Sequence, residues 1–254
     1  MSSKFRRLTD HQWEVIKPFL KNNKPRKLFL RDVIDAIRRV NRTGMQWRDL
    51  EEGYPKWQSV YYYHRKWAKD GTTKLIMSAL SSMERVDCDR QETPSLIAVD
   101  SQSIKAAPFV SEDRGIDGNK KINGRKRHIA VDTMGLPFAV YVGAADQHDG
   151  EAGLELLHEM DDLGLKRLDL IRGDSAYGGT FKDSAIWYGW EVDTTQMPPS
   201  QKGFIPQKNR WQVERSFAWL NGYPRLSKDY ERKSSSAEAF IALAFADMIL
   251  ARFD

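Results

Sequence analysis

The chain has 254 residues, of which 41% are hydrophobic and 30% charged, a composition that argues against both a disordered chain and a membrane protein. Its single cysteine, Cys88, excludes an internal disulfide framework. No run approaches the ~18 apolar residues that a membrane span needs, and the N-terminus lacks the apolar core of a signal peptide. We therefore expect a cytoplasmic protein.

The net charge of +5 is unevenly distributed along the chain. Residues 1–90 contain 20 Lys and Arg against 11 Asp and Glu, whereas residues 91–254 contain 20 against 24. A basic first part followed by an acidic second part indicates that the first part meets a polyanion. Many basic domains bind no nucleic acid, so this signal is weak by itself.

Three helices are predicted in the first 70 residues. Thr9 and Gln12 form a capping-box pattern at the start of the first helix. The second extends from about Phe29 to Thr43, and the third covers Lys56 to Asp70 after a break at Pro55. A tight break before a basic, aromatic helix is typical of a helix-turn-helix DNA reader, although a plain helical bundle fits the same pattern. The predicted DNA contacts in this part are Arg38, Arg39, Arg42, Lys56, Gln58, Tyr62, Arg65, Lys66 and Lys69.

A polar linker, residues 85–94, separates this helical part from a second part in which strands predominate. The order after it is a strand (95–100), a hairpin (127–144), a helix, a strand, a helix, a short strand and a helix. A strongly apolar helix, 234–253, closes the chain and is expected to pack on the sheet. This order predicts an α/β fold with an antiparallel edge on a partly parallel sheet.

Three acidic residues stand out by position in the second part. Asp100 ends the first predicted strand, Asp174 follows a later one, and Glu214 lies inside the predicted helix "NRWQVERSFAWL". Side chains at the carboxyl ends of strands project into the cleft where ligands bind. Two carboxylates there repel each other unless a proton or a cation intervenes, and such oxygen ligands suit Mg²⁺ or Mn²⁺. A third carboxylate from a helix would complete a site for two metal ions that serves phosphoryl transfer.

Each acid also has a purely structural interpretation. Asp100 could accept backbone N–H groups in a turn, and Asp174 could cap the following helix. Glu214 could form an exposed ion pair with Arg210 or Arg215, worth about 0.5 kcal/mol. For each residue taken singly, both interpretations stay open.

Basic residues surround these acids. The segment "RGIDGNKKINGRKRH" is predicted to be a flexible basic loop that neutralises a DNA backbone; a solvated loop without a ligand is the alternative. Its predicted DNA contacts, with those flanking the acids, are Lys105, Lys120, Lys121, Arg125, Lys126, Arg127, Arg210 and Arg215, and Ser101 and Tyr177 are weaker candidates. No zinc-ligand spacing or phosphate-cradling loop is present in the sequence, so no nucleotide cofactor is expected.

Seven ordered blocks resemble one known family. The chain is similar to the DDE transposases of bacterial insertion sequences, in the branch named after insertion sequence five, from about Leu8 to the last helix. The blocks are "LTDHQWEVIKPFL", "RTGMQWRDL", "YPKWQSVYYYHRKWAKDGT", "IAVDSQSIKA", "IAVDTMGLP", "GDSAYGG" and "VERSFAWL…YPRLSKDYE".

The resemblance implies a ribonuclease-H-like catalytic domain, residues 91–254, preceded by an all-α, helix-turn-helix-like DNA-binding domain, residues 1–90. Asp100, Asp174 and Glu214 match the three acids of the family. The implied activity is metal-dependent cleavage at the terminal inverted repeats of the element, followed by transfer of the freed 3′ hydroxyl to target DNA, with two Mg²⁺ or Mn²⁺ ions. The implied partner is double-stranded DNA, in the bacterial cytoplasm and at the nucleoid, bound by a homodimer or larger assembly.

The chain departs from the family pattern near Glu214. Arg210 matches an arginine that often stands four residues before this glutamate. Gln207 and Asn221, however, replace a tyrosine and a basic residue that the wider superfamily often has, and Pro224 replaces an arginine of this branch. These differences concern DNA contacts and leave the three acids intact.

Two other functions fit the same residues. One is an inert DNA-binding regulator derived from a transposase, and the other is a ribonuclease-H-type nuclease without strand transfer. The intact acids favour catalysis, and the basic helical part favours action on a specific DNA sequence.

Overall fold

The described residues of the N-terminal part form helices and no strands, as predicted. The computed structural model describes residues 5–20, 28–194 and 211–253. The capping box of the first helix is present, because Gln12 N donates to Thr9 Oγ1 (3.2 Å) and Thr9 N donates to Gln12 Oε1 (3.1 Å). The helices of this part are α1 (Asp10–Ile16), α2 (Leu30–Thr43), α3 (Trp57–Lys69) and α4 (Thr72–Asp87).

Two features of this part differ from the prediction. Helix α4 was absent from the predicted elements, and α3 is therefore not the last helix of the part. Residues 44–56 separate α2 from α3, whereas only Asp70 and Gly71 separate α3 from α4. Gly71 adopts the left-handed conformation (φ 74°) that a sharp reversal between helices requires. A helix-turn-helix usually has a turn of three or four residues, which is shorter than the connection between α2 and α3. A helix-turn-helix role for these two helices therefore stays a prediction.

The second part contains a six-stranded mixed sheet. Its order is β4–β3–β1–β5–β6, with β2 paired to the first residues of β3. Strand β3 is antiparallel to both β1 and β4, whereas β5 is parallel to both β1 and β6. This arrangement confirms the predicted ribonuclease-H-like sheet with an antiparallel edge. The strands are β1 (Leu96–Lys105), β2 (Gly115–Asp117), β3 (Ile122–Asp132), β4 (Pro137–Ala144), β5 (Leu170–Arg172) and β6 (Glu191–Asp193).

The remaining helices flank the sheet. They are α5 (Asp149–Ala152), α6 (Leu154–Asp162), α7 (Thr180–Trp187), α8 (Trp211–Leu220) and α9 (Ser234–Leu250). No helix in the described ranges is long and apolar enough to cross a membrane.

Helix α9 joins the two parts of the molecule. Its side chains are buried on nearly all sides, and it packs on β4 as well as on α2, α3 and α4. Helix α2 is also attached to it by a hydrogen bond from Asn41 Nδ2 to Phe240 O (2.9 Å). The helices and the sheet thus share one hydrophobic core, and a domain boundary at residue 90 stays a prediction.

Candidate active site

The sheet brings Asp100 and Asp174 to the same level of neighbouring strands. The parallel pairing of β1 with β5 places Ala98 opposite Arg172. Asp100 follows two residues later within β1, and Asp174 follows two residues after Arg172, just beyond the end of β5. The backbone stays extended at Asp174 (φ −79°, ψ −177°). Since neighbouring strands lie about 4.8 Å apart, the two carboxylates begin from adjacent backbone positions. Asp100 does not end its strand as predicted, because β1 continues to Lys105 in register with β3.

Both acids also make local backbone hydrogen bonds. Asp100 Oδ1 accepts from Ser101 N (2.7 Å), and Asp174 Oδ1 accepts from Ala176 N (2.9 Å). The second bond caps a short 3₁₀ turn, Ser175–Tyr177, rather than the following helix α7, whose N-cap residue is Gly179. A carboxylate can accept several bonds through its two oxygens. Capping is therefore compatible with metal binding.

Glu214 lies on the exposed side of α8, which packs on β1 and β3. In the described ranges, no group of three or more His, Cys, Asp or Glu side chains is close enough to hold a metal ion. The structure thus brings Asp100 and Asp174 to adjacent positions but does not gather Glu214 with them. Arg210 lies outside the described residues.

Helix α8 is held against the turn between β3 and β4. Arg215 Nη2 donates to Met134 O (2.6 Å), and Ser216 Oγ donates to Gly135 O (3.1 Å). The guanidinium of Arg215 also stacks against Trp211 and Trp219, whose ring centroids lie 4.5 and 4.8 Å away. These contacts give Arg215 a structural role, and its predicted DNA contact stays a prediction.

Arg125 is completely buried (0% exposed) on the face of the sheet that also carries Asp100. It connects β3 to two segments that are distant in sequence, and all of its nitrogens donate hydrogen bonds. The acceptors are Asp113 O (3.3 Å), Asp229 Oδ2 (3.1 Å), Glu231 O (2.8 Å), Glu112 O (2.6 Å) and Arg232 O (2.9 Å). Because a buried charge is costly unless it is paired and hydrogen-bonded, this arrangement fixes the segment after α8 on the sheet.

The prediction of a flexible basic loop around Arg125 is wrong for its second half. Residues 115–117 and 122–132 form a β-hairpin, and Arg127 lies on the same buried face as Arg125. Arg127 Nη2 donates to Leu226 O (2.8 Å), and burial lowers the pKa of Arg127 to about 10. Lys126 Nζ pairs with Asp149 Oδ1 (2.7 Å) on the other face. These three cations therefore bond within the protein, whereas Lys105, Lys120 and Lys121 are exposed.

The cations predicted on α2 are also engaged within the protein. Arg38 is buried and forms ion pairs with Asp35 (2.6 Å) and with Asp247, so the predicted DNA contact for Arg38 is corrected to a structural role. Arg39 pairs with Glu51 (2.5 Å), and Arg42 Nη1 donates to Gly222 O (2.7 Å).

Helix α3 presents a polar and aromatic face to solvent. Gln58, Tyr62 and Lys69 are exposed and spaced four and seven residues apart, which places them on one side of the helix. Lys56 is exposed just before the helix, whereas Arg65 and Lys66 are half-buried.

Two families of known sequences match the chain. A family model described as "Transposase DDE domain" matches residues 91–249, and one described as "Putative transposase of IS4/5 family" matches residues 8–77. A curated relative, "Putative transposase for insertion sequence element IS402" of Burkholderia cepacia, is 27% identical over 126 residues. That match covers 47% of this chain and 60% of the relative.

Solved structures give only a weak likeness. The chain aligns over 92% of its length with 79% of the chain in "Crystal structure of the Mos1 mariner paired end complex with Mn", at 12% identity and a TM-score of 0.32. For "Crystal structure of a pre-cleavage Mos1 transpososome" the coverage is 91% and 81%, the identity 11% and the TM-score 0.28. Scores this low carry no weight for the fold, which rests on the observed strand order.

We expect Arg125→Met to destabilise the protein strongly. The substitution keeps side-chain volume but leaves the buried carboxylate of Asp229 without its cation, which costs about 3–5 kcal/mol. Urea denaturation measures the free energy of unfolding, with Arg90→Met at an exposed position as the matched control. Adding Asp229→Leu to Arg125→Met should recover part of the loss, because it removes the unpaired charge. Equal losses for Arg125→Met and Arg90→Met would contradict the structural role of Arg125.

Proposed function

The chain belongs to the transposase DDE domain family, and from this premise we propose that it binds the terminal inverted repeats of an insertion sequence, cleaves DNA there and transfers the freed ends to target DNA. The observation that carries the proposal is the register of β1 and β5, which ends with Ala98 opposite Arg172, so that Asp100 in β1 and Asp174 just after β5 each follow this pair by two residues. Two carboxylates at such positions repel each other unless a cation or a proton lies between them.

The donor chemistry at this position fits a divalent metal ion. Asp100 and Asp174 supply hard oxygen ligands of the kind that Mg²⁺ and Mn²⁺ prefer. We assign Glu214 as the third ligand from its match to the family pattern and its exposed position on a helix that packs on β1 and β3. Two bound ions would supply charge stabilisation for the attacking and leaving oxygens of an in-line phosphoryl displacement.

The protein's own task is to hold these carboxylates and the DNA. Helix α8, attached through Arg215 and Ser216 to the turn after β3, supports Glu214. The exposed Lys105, at the end of β1, and the exposed Lys120 and Lys121, just before β3, provide charge for a DNA backbone that extends from the acids along these strands.

We assign recognition of the terminal repeats to α3 within a DNA-binding domain of residues 1–90, with residues 91–254 as the catalytic domain. The exposed Gln58 and Tyr62 can contact base edges in the major groove, while Lys69 contacts a phosphate. Because two ends must be joined, the active assembly on DNA is a dimer or a larger oligomer.

We expect Asp100→Asn to abolish cleavage while leaving DNA binding intact. Losing a ligand of the metal site removes several kcal/mol of transition-state stabilisation, which lowers the cleavage rate on the order of 10³-fold. The measurement is cleavage of labelled repeat ends in Mg²⁺, with gel-shift titration of the same DNA. Asp161→Asn, at an exposed position on α6, is the matched control. Retained cleavage by Asp100→Asn would disprove the assignment, and products that are nicked but never joined would exclude strand transfer.

We expect Lys69→Gln to reduce the salt dependence of DNA binding. One lost phosphate contact changes the slope of log K against log salt by about 0.9. Fluorescence anisotropy at several salt concentrations measures the slope, with Lys182→Gln, exposed on α7, as the control. If Lys69→Gln and Lys182→Gln have the same slope as the unaltered protein, α3 does not contact DNA through Lys69.

A further inference from the structure

A hydrogen-bonded network lies on the opposite face of the sheet from Asp100. Ser101 and His128 face each other in the ladder between β1 and β3. Ser101 Oγ donates to Asp149 Oδ2 (2.9 Å), and Lys126 Nζ donates to Asp149 Oδ1 (2.7 Å). Burial alone would raise the pKa of Asp149, but the hydrogen bond and charge of Lys126 outweigh it, and the pKa is lowered. The charged carboxylate therefore ties α5 to the strand residue next to Asp100.

Tyr177 connects the turn that Asp174 caps to the same network. It is the last residue of that turn, it is fully buried (0% exposed), and its hydroxyl lies 3.2 Å from His128 Nδ1. Burial lowers the pKa of His128 to about 4, so its imidazole is neutral at neutral pH. In the described part of the chain, His128 Nε2 has no hydrogen-bond partner, so the bond with Tyr177 is the hydrogen bond that orients this ring, which also packs against Tyr141 (ring centroids 6.0 Å apart).

The ring of Tyr177 is tightly packed in a slot formed by Gly153, Gly173 and Phe181. A Cβ atom added to Gly173 or to Gly153 would lie 2.9 Å from atoms of this ring, closer than side chains tolerate. The ring of Phe181 closes the slot with an edge-on contact, with ring centroids 5.1 Å apart. The ring therefore cannot shift without moving the turn that carries Asp174.

We propose that Tyr177 is a positioning residue for Asp174. Its ring and hydroxyl hold the capped turn against β3, and β3 is hydrogen-bonded to the strand that carries Asp100. The separation of the two carboxylates is thus determined by contacts on the face of the sheet opposite Asp100. The proposal rests on the proposed function, in which these carboxylates bind a divalent ion, and it replaces the predicted DNA contact of Tyr177, because a fully buried side chain cannot reach DNA.

The test compares two substitutions that each remove one buried hydroxyl. Tyr177→Phe removes the bond to His128, and Tyr223→Phe removes the bond from Tyr223 to Asp247 Oδ2 (3.0 Å), away from the acids. Isothermal titration calorimetry with Mn²⁺ measures the Kd, and thermal unfolding without metal measures the Tm. We expect both variants to lose a similar amount of Tm, whereas only Tyr177→Phe weakens Mn²⁺ binding, by about tenfold, as for other partners that orient metal ligands.

A second variant approaches the same bond from β3. His128→Phe removes the ring nitrogen that bonds to the Tyr177 hydroxyl, so we expect it to weaken Mn²⁺ binding to a similar extent. The double variant with Tyr177→Phe should add little further loss. Additive losses in the double variant would contradict action through one shared bond.

A reference variant separates this proposal from the function it rests on. If Asp100→Asn loses Mn²⁺ binding but Tyr177→Phe and Tyr223→Phe bind Mn²⁺ equally, the positioning role of Tyr177 is overturned and the metal site stands. If Asp100→Asn binds Mn²⁺ as well as the unaltered protein does, the metal site itself is wrong, and the positioning role fails with it.

Discussion

The register of β1 between its two neighbours is the constraint on which the candidate site depends. The strand is paired with β3 from Ile97 to Lys105 and with β5 from Leu96 to Ala98. Because side chains alternate between the faces of a strand, a slip of one residue would move every side chain of β1 to the opposite face. The long ladder with β3 therefore determines which face carries Asp100, and the short ladder with β5 determines the level of Asp174.

Buried polar groups stabilise this register from both faces. On the face of Asp100, Arg125 and Arg127 bind the segment that follows α8 through carbonyl groups and Asp229. On the other face, Tyr177 and Asp149 attach the turn after β5 and the start of α5 to β1 and β3. A buried polar group that loses its partners is costly, so each group disfavours arrangements in which the acids lie elsewhere. Helix α9 extends the same core to the N-terminal helices.

Local patterns predicted the elements of the fold well, and partners distant in sequence account for the differences. The capping box of Thr9 and Gln12 is a local signal and is confirmed. Helix α4 was not predicted because apolar residues also occupy its exposed side. Leu75, Met83 and Val86 are exposed, so the apolar residues of this segment do not follow the spacing of a single helix face. The second half of β1 was not predicted because the residues after Asp100 are polar. In the structure, Ser101 and Ser103 bond to Asp149 and Asp117 of other elements.

Partners distant in sequence also explain which residues of the site were predicted and which were not. Asp100 and Asp174 were recognisable because they follow apolar runs typical of buried strands. Arg125 and Arg127 were predicted as DNA contacts in a basic loop because most of their acceptors, such as Asp229 and Leu226, lie about a hundred residues away. Alternation along β3 nevertheless puts them on the same face as Ile129 and Val131. The DNA contacts of the exposed α3 residues and of Lys105, Lys120 and Lys121 stay predictions, because they depend on a partner that no pattern within the chain describes.

The central claim is that Asp100 and Asp174 share a divalent ion. Anomalous diffraction from crystals grown with Mn²⁺ tests it most directly, since the signal locates the metal independently of activity. The account predicts an anomalous peak bonded to carboxylate oxygens of both residues, at the roughly 2.0–2.2 Å typical of small hard cations. A well-ordered Mn²⁺ peak bound elsewhere, or no peak at this position in saturating Mn²⁺, would contradict it.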